Sequence, residues 1–258
     1  MPDAFYIADG DSFVSTEWTR GPWDARAQHA GPPAALVGRA FERLDPPGFQ
    51  VARLTMEILK PIPIETLHVD AQPVRTGRRV QYVTATLTSG GVEIARASAW
   101  RIRTSDEPTP ATPAEAPPFA GPGDSPELPA VPVEAPESYF GAMEWRYARG
   151  TFTDPGPASV WMRMRMPLVE GESIEPLSRV LSAADSGNGI SAVLDFRTHL
   201  FINTDLTVHL FRMPEGEWVC IDAETRQDAN GIGVAQSVIW DEHHRIGAGA
   251  QTLLVAAR

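Results

Sequence analysis

The sequence has a single cysteine, a single lysine and no long apolar run. With Cys220 as the one thiol, an intrachain disulfide and a thiolate metal cluster are both excluded. No apolar stretch approaches the roughly 18–20 residues that a membrane-spanning helix requires. The N-terminal residues have neither the basic flank nor the apolar core of a signal peptide, so we expect a cytoplasmic protein without a membrane span.

Several sharp catalytic motifs are also missing. There is no Gly-x-Ser-x-Gly sequence, which removes support for a serine-based α/β-hydrolase. Walker, GxGxxG and HExxH patterns are absent as well, so neither a nucleotide cofactor nor a zinc site is implied. His243-His244 lacks the further ligands that zinc would need. We therefore expect no cofactor and no metal.

The charge is acidic and unevenly distributed. The 258 residues contain 33 acidic and 22 basic side chains, a net charge of −11, so a nucleic-acid partner is not expected. Residues 105–138 hold seven of the acids, no Lys or Arg, and ten of the 24 prolines. Such a segment should be an extended connector without its own core. It divides the chain into residues 1–104 and residues 139–258.

The two halves resemble each other. A shift of 152 residues places Leu54–Lys60 on Leu206–Arg212 and Asp70-Ala71 on Asp222-Ala223, with no gap up to Ile102. Matches in one register on both sides of a linker indicate a tandem duplication.

The repeated pattern predicts strands preceded by one helix in each half. Leu54, Met56 and Ile58 alternate with polar neighbours, as in a half-buried strand. Further strands are predicted near 66–76, 79–88 and 92–104, and near 217–228, 231–241 and 244–257. A helix follows Gly31-Pro32-Pro33, and a second follows Glu175-Pro176, breaks at 185–189 and resumes over 190–194. Both helices should be buried, which predicts an α+β fold whose two copies pack as a pseudo-dimer.

Several strings carry a resemblance to a known family. They are His29–Leu36 in the first half and Ala184–Gly187, Asn203–His209, Asp222–Thr225 and Ala250–Thr252 in the second. With these strings the chain resembles the double-hotdog acyl-CoA thioesterases, the group of bacterial acyl-CoA thioesterase II. The resemblance implies two tandem hotdog units at 1–104 and 139–258, each an antiparallel sheet wrapped around a long helix. It leaves homo-oligomer formation open.

The resemblance also implies an activity and a site. Asp185, Thr225 and Gln251 would hold and activate the water that hydrolyses an acyl-CoA to a fatty acid and CoA. At the shift of 152, Thr225 corresponds to Pro73 and Gln251 to Ala99, so these polar residues belong to one copy only. That asymmetry is expected if only one of two pseudo-equivalent sites is catalytic.

The thioester carbonyl needs hydrogen-bond donors as well. Gly31, at the start of the first helix, is the candidate backbone donor, and His29 is a second candidate for substrate contact.

Structural roles remain open for each candidate. Gly31 has the alternative role of a helix-entry glycine, and Asp185 that of a turn residue at a helix break. Arg78-Arg79 could meet the phosphates of CoA or lie in a solvated turn. The alternative function is a non-catalytic acyl-thioester binding protein with a degenerate site.

Overall fold

The alternating runs of the sequence form strands close to their predicted positions. In the computed structural model, which describes residues 3–105, 107, 109–127 and 136–258, thirteen strands join one antiparallel sheet. The first-half strands are β1 (Tyr6–Asp9), β2 (Ser12–Ser15), β3 (Phe49–Ile58), β4 (Thr66–Thr76), β5 (Val80–Ser89) and β6 (Val92–Arg103). Those of the second half are β7 (Met143–Arg149), β8 (Ala158–Met164), β9 (His199–Asn203), β10 (Asp205–Leu210), β11 (Val219–Gln227), β12 (Ile232–Trp240) and β13 (Arg245–Ala257).

The order of these strands is a palindrome. The path runs β1-β2-β4-β5-β6-β3 and then β10-β13-β12-β11-β8-β7, with β9 paired to β13 beside it. Each strand of the first half therefore has a counterpart at the mirrored position in the second. The duplication also includes the hairpins β1–β2 and β7–β8, which the sequence pattern did not predict, because β8 is almost entirely buried and shows no alternation.

The two halves join where β3 pairs with β10. In this register Thr55 is opposite Thr207, and their hydroxyl oxygens lie 3.1 Å apart. These residues are separated by 152 positions, which is the shift that superimposes the two copies. The internal two-fold axis therefore passes between Thr55 and Thr207.

The helices pack against the sheet. They are α1 (Gly31–Glu42), α2 (Tyr139–Ala142), α3 (Pro176–Ala184) and α4 (Gly187–Ile190). Nine of the twelve residues of α1 are buried, as its apolar composition predicts. The prediction that the second helix resumes over 190–194 was wrong, because α4 begins at Gly187 and ends at Ile190. Its end coincides with a hydrogen bond that the Ser191 hydroxyl donates to the Gly187 carbonyl (2.8 Å), which competes with further helix.

Helices α1 and α3 cross closely and run antiparallel. Gly31 lies against the carbonyl oxygen of Ser182, and Gly38 lies against Leu177 and Leu181. A β-carbon at either glycine would collide with these neighbours, so glycine is required for the close approach. The crossing brings the first residues of α1 to the last residues of α3.

The Pro-rich segment packs against the second half. Phe119 contacts Trp161 and Trp240 edge to face, with ring centroids 5.9 Å apart in both pairs. The indole N–H of Trp161 donates to the carbonyl of Ala120 (2.8 Å). The described residues of 105–138 form no regular helix or strand, and Phe119 packs against a buried cluster of Trp161, Trp218, Cys220 and Trp240. The exact bounds 105 and 138 stay a prediction.

Candidate active site

Asp185 lies at the junction of the two halves, directly after α3. Its side chain is 4% exposed and forms part of the wall of a cavity. Oδ1 accepts hydrogen bonds from Asn203 Nδ2 (2.8 Å) and from Gln251 Nε2 (3.2 Å). The backbone N–H groups of Ala30 and Gly31, at the start of α1, also face the carboxylate. Donors from both halves of the chain therefore converge on one buried acid.

These surroundings set the protonation of Asp185. Burial raises the pKa of its carboxyl to about 7, and the hydrogen bonds from Asn203, Ala30, Gly31 and Gln251 oppose this rise. Since a general base works best with a pKa near the working pH, the environment suits Asp185 for proton transfer at neutral pH.

The His29 ring lies beside this carboxyl. Its Nδ1 lies 3.1 Å from Asp185 Oδ2. Burial lowers the pKa of His29 to about 3, so the imidazole is neutral at pH 7 and the contact is not an ion pair. His29 also forms part of the cavity wall, beside Asp185.

Tyr139 holds the other side of the imidazole. The two rings are stacked, with centroids 3.7 Å apart and planes 7° from parallel. The Tyr139 hydroxyl lies 2.6 Å from the Ser182 carbonyl, to which it donates, and 2.9 Å from Ser186 Oγ. Tyr139 thus connects His29 to the end of α3. It is the first residue of α2, directly after the Pro-rich segment.

Gln251 connects Asp185 to α4. Its Nε2 donates to the backbone oxygen of Asp185 as well (3.1 Å), and its Oε1 accepts the Asn188 N–H (3.0 Å). Asn188 Nδ2 in turn donates to the carbonyl of Phe201 on β9 (3.0 Å). One amide on β13 therefore fixes both the carboxyl and the short helix that follows it.

Thr225 is placed differently from Asp185 and Gln251. It is buried on β11, and its hydroxyl lies 2.7 Å from that of Ser191, after α4. It is not part of the cavity wall. The structure therefore joins Asp185 directly to Gln251, whereas Thr225 contacts the far end of α4.

The backbone N–H of Gly31 is already hydrogen-bonded within the site. It donates to His29 Nδ1 (3.1 Å) and also faces the Asp185 carboxylate. The lack of a side chain serves the close crossing with α3 described above, so the glycine has a structural reason independent of any ligand.

The cavity beside Asp185 and His29 is mostly apolar. Its volume is about 110 Å³, and it contains no Arg or Lys in its wall. Six aromatic side chains contribute: Trp23, Phe140, Trp145, Phe152, Phe196 and Phe201. In the described part of the chain no group of three or more His, Cys, Asp or Glu side chains could hold a metal ion.

Asp185 and its polar partners lie at one end of the α1–α3 helix pair. At the shift of 152, Asn203 corresponds to Val51 and Gln251 to Ala99, and both of these are buried and apolar. The opposite end has instead Glu42, whose pKa is raised to about 7 by burial and by the nearby Glu175. Glu42 does not form part of the cavity wall.

Comparison with models of known protein families identifies the family of this chain. Residues 19–102 match the model of the acyl-CoA thioesterase N-terminal domain, and residues 105–255 match that of the acyl-CoA thioesterase C-terminal domain. The chain belongs to the acyl-CoA thioesterase family. It is a thioester hydrolase. No curated protein sequence matches it significantly.

Solved structures confirm the double-hotdog fold of this enzyme. A conserved protein of unknown function with a hot dog fold from Alicyclobacillus acidocaldarius is 20% identical, with a TM-score of 0.78 over 99% of this chain and 97% of its own. Acyl-CoA thioesterase II TesB2 from Mycobacterium marinum is 15% identical, with a TM-score of 0.69 over 98% and 94%. The tesB protein of Mycobacterium avium subs paratuberculosis is 14% identical, with a TM-score of 0.68 over 97% and 96%. Among the described residues no helix of the enzyme is long and apolar enough to cross a membrane.

Sequence reasoning missed three residues of the site. Asn203 stands in one of the strings that carry the resemblance, but its contact with Asp185 depends on the strand break between β9 and β10. Tyr139 and Asn188 had no signal, since each acts through packing against distant elements.

Proposed function

We propose that the enzyme hydrolyses an acyl-CoA to a fatty acid and free CoA, with Asp185 as the general base. One observation carries the proposal: a buried carboxyl with a pKa of about 7 lies in the wall of an apolar cavity and is held by donors from both halves. The family supports the thioester as the reacting group.

The reaction needs one water and one proton relay. The water oxygen bonds to the thioester carbon while its proton passes to the Asp185 carboxylate. Collapse of the tetrahedral intermediate breaks the carbon–sulfur bond, and the proton passes from Asp185 to the departing sulfur. The products are a carboxylic acid and the thiol of CoA, and Asp185 is ionised again.

The remaining site residues would orient these groups. Gln251 holds Asp185 and α4 in place, and Thr225 would act through Ser191 on the far end of α4. His29 is better placed than Gly31 to meet the thioester carbonyl, because it forms part of the cavity wall and the Gly31 N–H is already engaged.

The acyl group would occupy the aromatic cavity. Its walls offer apolar contact but no basic charge, which suits a hydrocarbon and not a phosphate. Its volume of about 110 Å³ approaches that of an engineered apolar cavity of roughly 150 Å³ that holds benzene, so it accommodates an apolar group beside Asp185.

The test is Asp185→Asn, which keeps the shape of the side chain and removes the base. Thiol release from a panel of acyl-CoAs would be followed with a thiol-reactive dye. We expect kcat to fall roughly 10²- to 10⁴-fold, the usual contribution of a general base. Glu42→Gln is the matched control, because it neutralises a half-buried acid of similar pKa at the other end of α1, and it should leave kcat unchanged.

Two outcomes would contradict the proposal. Full turnover by Asp185→Asn would refute the site, and no turnover of any acyl-CoA by the unaltered enzyme would refute the substrate. A cytoplasmic location stays a prediction from the sequence, and homo-oligomer formation stays open.

A further inference from the structure

A second cavity adjoins the aromatic one. It has a volume of about 760 Å³ and shares Phe152, Phe196 and Phe201 with the first. We call it the outer cavity, and its remaining wall is formed by Thr153, Pro155, Ala192, Leu194, Asp195, Arg197 and Arg258. Asp185 belongs to the first cavity only. Three phenylalanines therefore belong to the walls of both cavities.

The two cavities differ in charge. The aromatic cavity has no Arg or Lys, whereas the outer cavity has Arg197 and Arg258. An anion in the outer cavity would therefore face two guanidinium groups, with Asp195 as the one acidic side chain in the wall.

Arg197 is anchored through its backbone N–H and its Nε–H, and its two Nη atoms form the exposed end of the side chain. Its backbone N–H (2.9 Å) and its Nε–H (3.2 Å) both donate to Asp195 Oδ1, so one carboxylate oxygen anchors the side chain. The side chain is 78% exposed. No hydrogen bond of its two Nη atoms is found within the described residues, which leaves the paired donors that suit a phosphate.

Arg258 lies at the junction of the cavities. Its backbone N–H donates to the Thr198 carbonyl (3.1 Å), and its guanidinium carbon lies 5.6 Å from the ring centroid of Trp23. Trp23 is part of the wall of the aromatic cavity. Arg258 therefore lies in the wall of the outer cavity, and the face of its guanidinium contacts a ring of the aromatic cavity's wall, which leaves the N–H edges available.

An acyl-CoA has the matching distribution of chemistry. Its acyl end is apolar, its thioester lies in the middle, and its other end carries phosphate groups. We propose that the outer cavity is the phosphate subsite for CoA and that Arg197 and Arg258 bind these phosphates. This inference rests on the proposed function. Arg78 and Arg79, considered from the sequence, are exposed in the β4–β5 turn and belong to the wall of neither cavity.

The experiment compares two substrates with the same acyl chain. One is the acyl-CoA and the other is the acyl thioester of N-acetylcysteamine, which has no phosphate. Steady-state kcat and KM would be measured for both with the double variant Arg197→Glu/Arg258→Glu. Arg96→Glu is the control, because Arg96 is also an exposed arginine paired with a nearby carboxylate, Glu93, but lies in neither cavity wall.

For the double variant we expect KM for acyl-CoA to rise at least about tenfold, as the loss of a charge-assisted hydrogen bond produces. Its kinetics with the N-acetylcysteamine thioester should not change, which also shows that the variant is folded. Arg96→Glu should match the unaltered enzyme on both substrates.

Three results would overturn the subsite. They are an unchanged KM for acyl-CoA in the double variant, an equal loss on both substrates, and an equal effect of Arg96→Glu. In each case hydrolysis of acyl-CoA by the unaltered enzyme would leave the proposed function intact. If the unaltered enzyme hydrolysed neither thioester, the proposed function itself would fail.

Discussion

The Nδ1 atom of His29 lies 3.1 Å from Asp185 Oδ2 and accepts a hydrogen bond from the Gly31 N–H, also at 3.1 Å. Because the pKa of His29 is about 3, the ring is neutral at pH 7 and carries its hydrogen on one nitrogen only. Because the Gly31 N–H donates to Nδ1, that nitrogen carries the lone pair and the ring hydrogen lies on Nε2. A protonated Asp185 can donate to the same lone pair, whereas an ionised Asp185 faces it with no hydrogen between them.

The first prediction concerns the pH dependence of catalysis. Only ionised Asp185 can accept the proton of water, so kcat/KM should rise with pH and level off above a pKa of about 7. The measurement is kcat/KM for one acyl-CoA between pH 5 and 9. Asp185→Asn should lose this acid limb together with most of the rate. A kcat/KM that stays constant down to pH 5 would mean that burial does not raise the pKa of the base.

The second prediction separates Asn203 from Thr225. Asn203→Ala removes a hydrogen bond that stabilises the Asp185 carboxylate, so the pKa of Asp185 should rise. A charge-assisted hydrogen bond corresponds to a shift of about one pKa unit or more. The acid limb of kcat/KM should move to higher pH by that amount.

Thr225→Val is the matched variant. It removes the contact with Ser191 but none to Asp185, so kcat should fall without a shift of the limb. If Thr225→Val instead abolished turnover as completely as Asp185→Asn, Thr225 would have to contact the water directly.

The third prediction concerns stability. The unfolded chain releases the Asp185 proton near pH 4, whereas the folded protein holds it to about pH 7. Below pH 4 both states are protonated at this carboxyl. As the pH rises from 4 through 7, the unfolded state is increasingly favoured by ionisation of this group. The free energy of unfolding of the unaltered protein should therefore fall relative to Asp185→Asn.

Urea unfolding of both proteins at pH 5 and pH 8 checks this difference. The variant should gain relative stability at pH 8, because Asn is never ionised. Other titrating groups, such as His29, contribute to both proteins and largely cancel in the comparison. If the stability difference in favour of the variant were larger at pH 5 than at pH 8, the assigned pKa would be contradicted.

The fourth prediction concerns acyl length. Phe140 forms part of the wall of the aromatic cavity and lies edge-on to His29, with centroids 6.2 Å apart. Phe140→Ala should enlarge the cavity and move the best kcat/KM toward longer acyl chains. Phe211→Ala is the control, since Phe211 is 68% exposed and outside the cavity wall. An identical chain-length profile in both variants would place the acyl group elsewhere.

The sequence predicted the sheet better than the site. The strands from β3 to β6 and from β10 to β13 were visible because apolar and polar residues alternate and because two copies reinforce one pattern. The pairing of β3 with β10 fits that repeat, since Thr55 and Thr207 occupy the same place in each copy.

The site depends on contacts that periodicity does not encode. Asn203 reaches Asp185 because the strand that is continuous as β3 is broken into β9 and β10 in the second half. Tyr139 reaches His29 across the full length of the Pro-rich segment. These contacts join positions 18 and 110 residues apart, and only the packed fold brings them together.

The axis between Thr55 and Thr207 has an evolutionary consequence. In a symmetric homodimer every substitution appears twice, so a residue that improves one site also alters the other. Fusion of the two copies into one chain lifts that constraint. Asn203 and Gln251 could then become polar on one side of the axis while Val51 and Ala99 stayed apolar on the other. Fusion therefore allows one copy to be specialised for catalysis while the other copy retains a structural role.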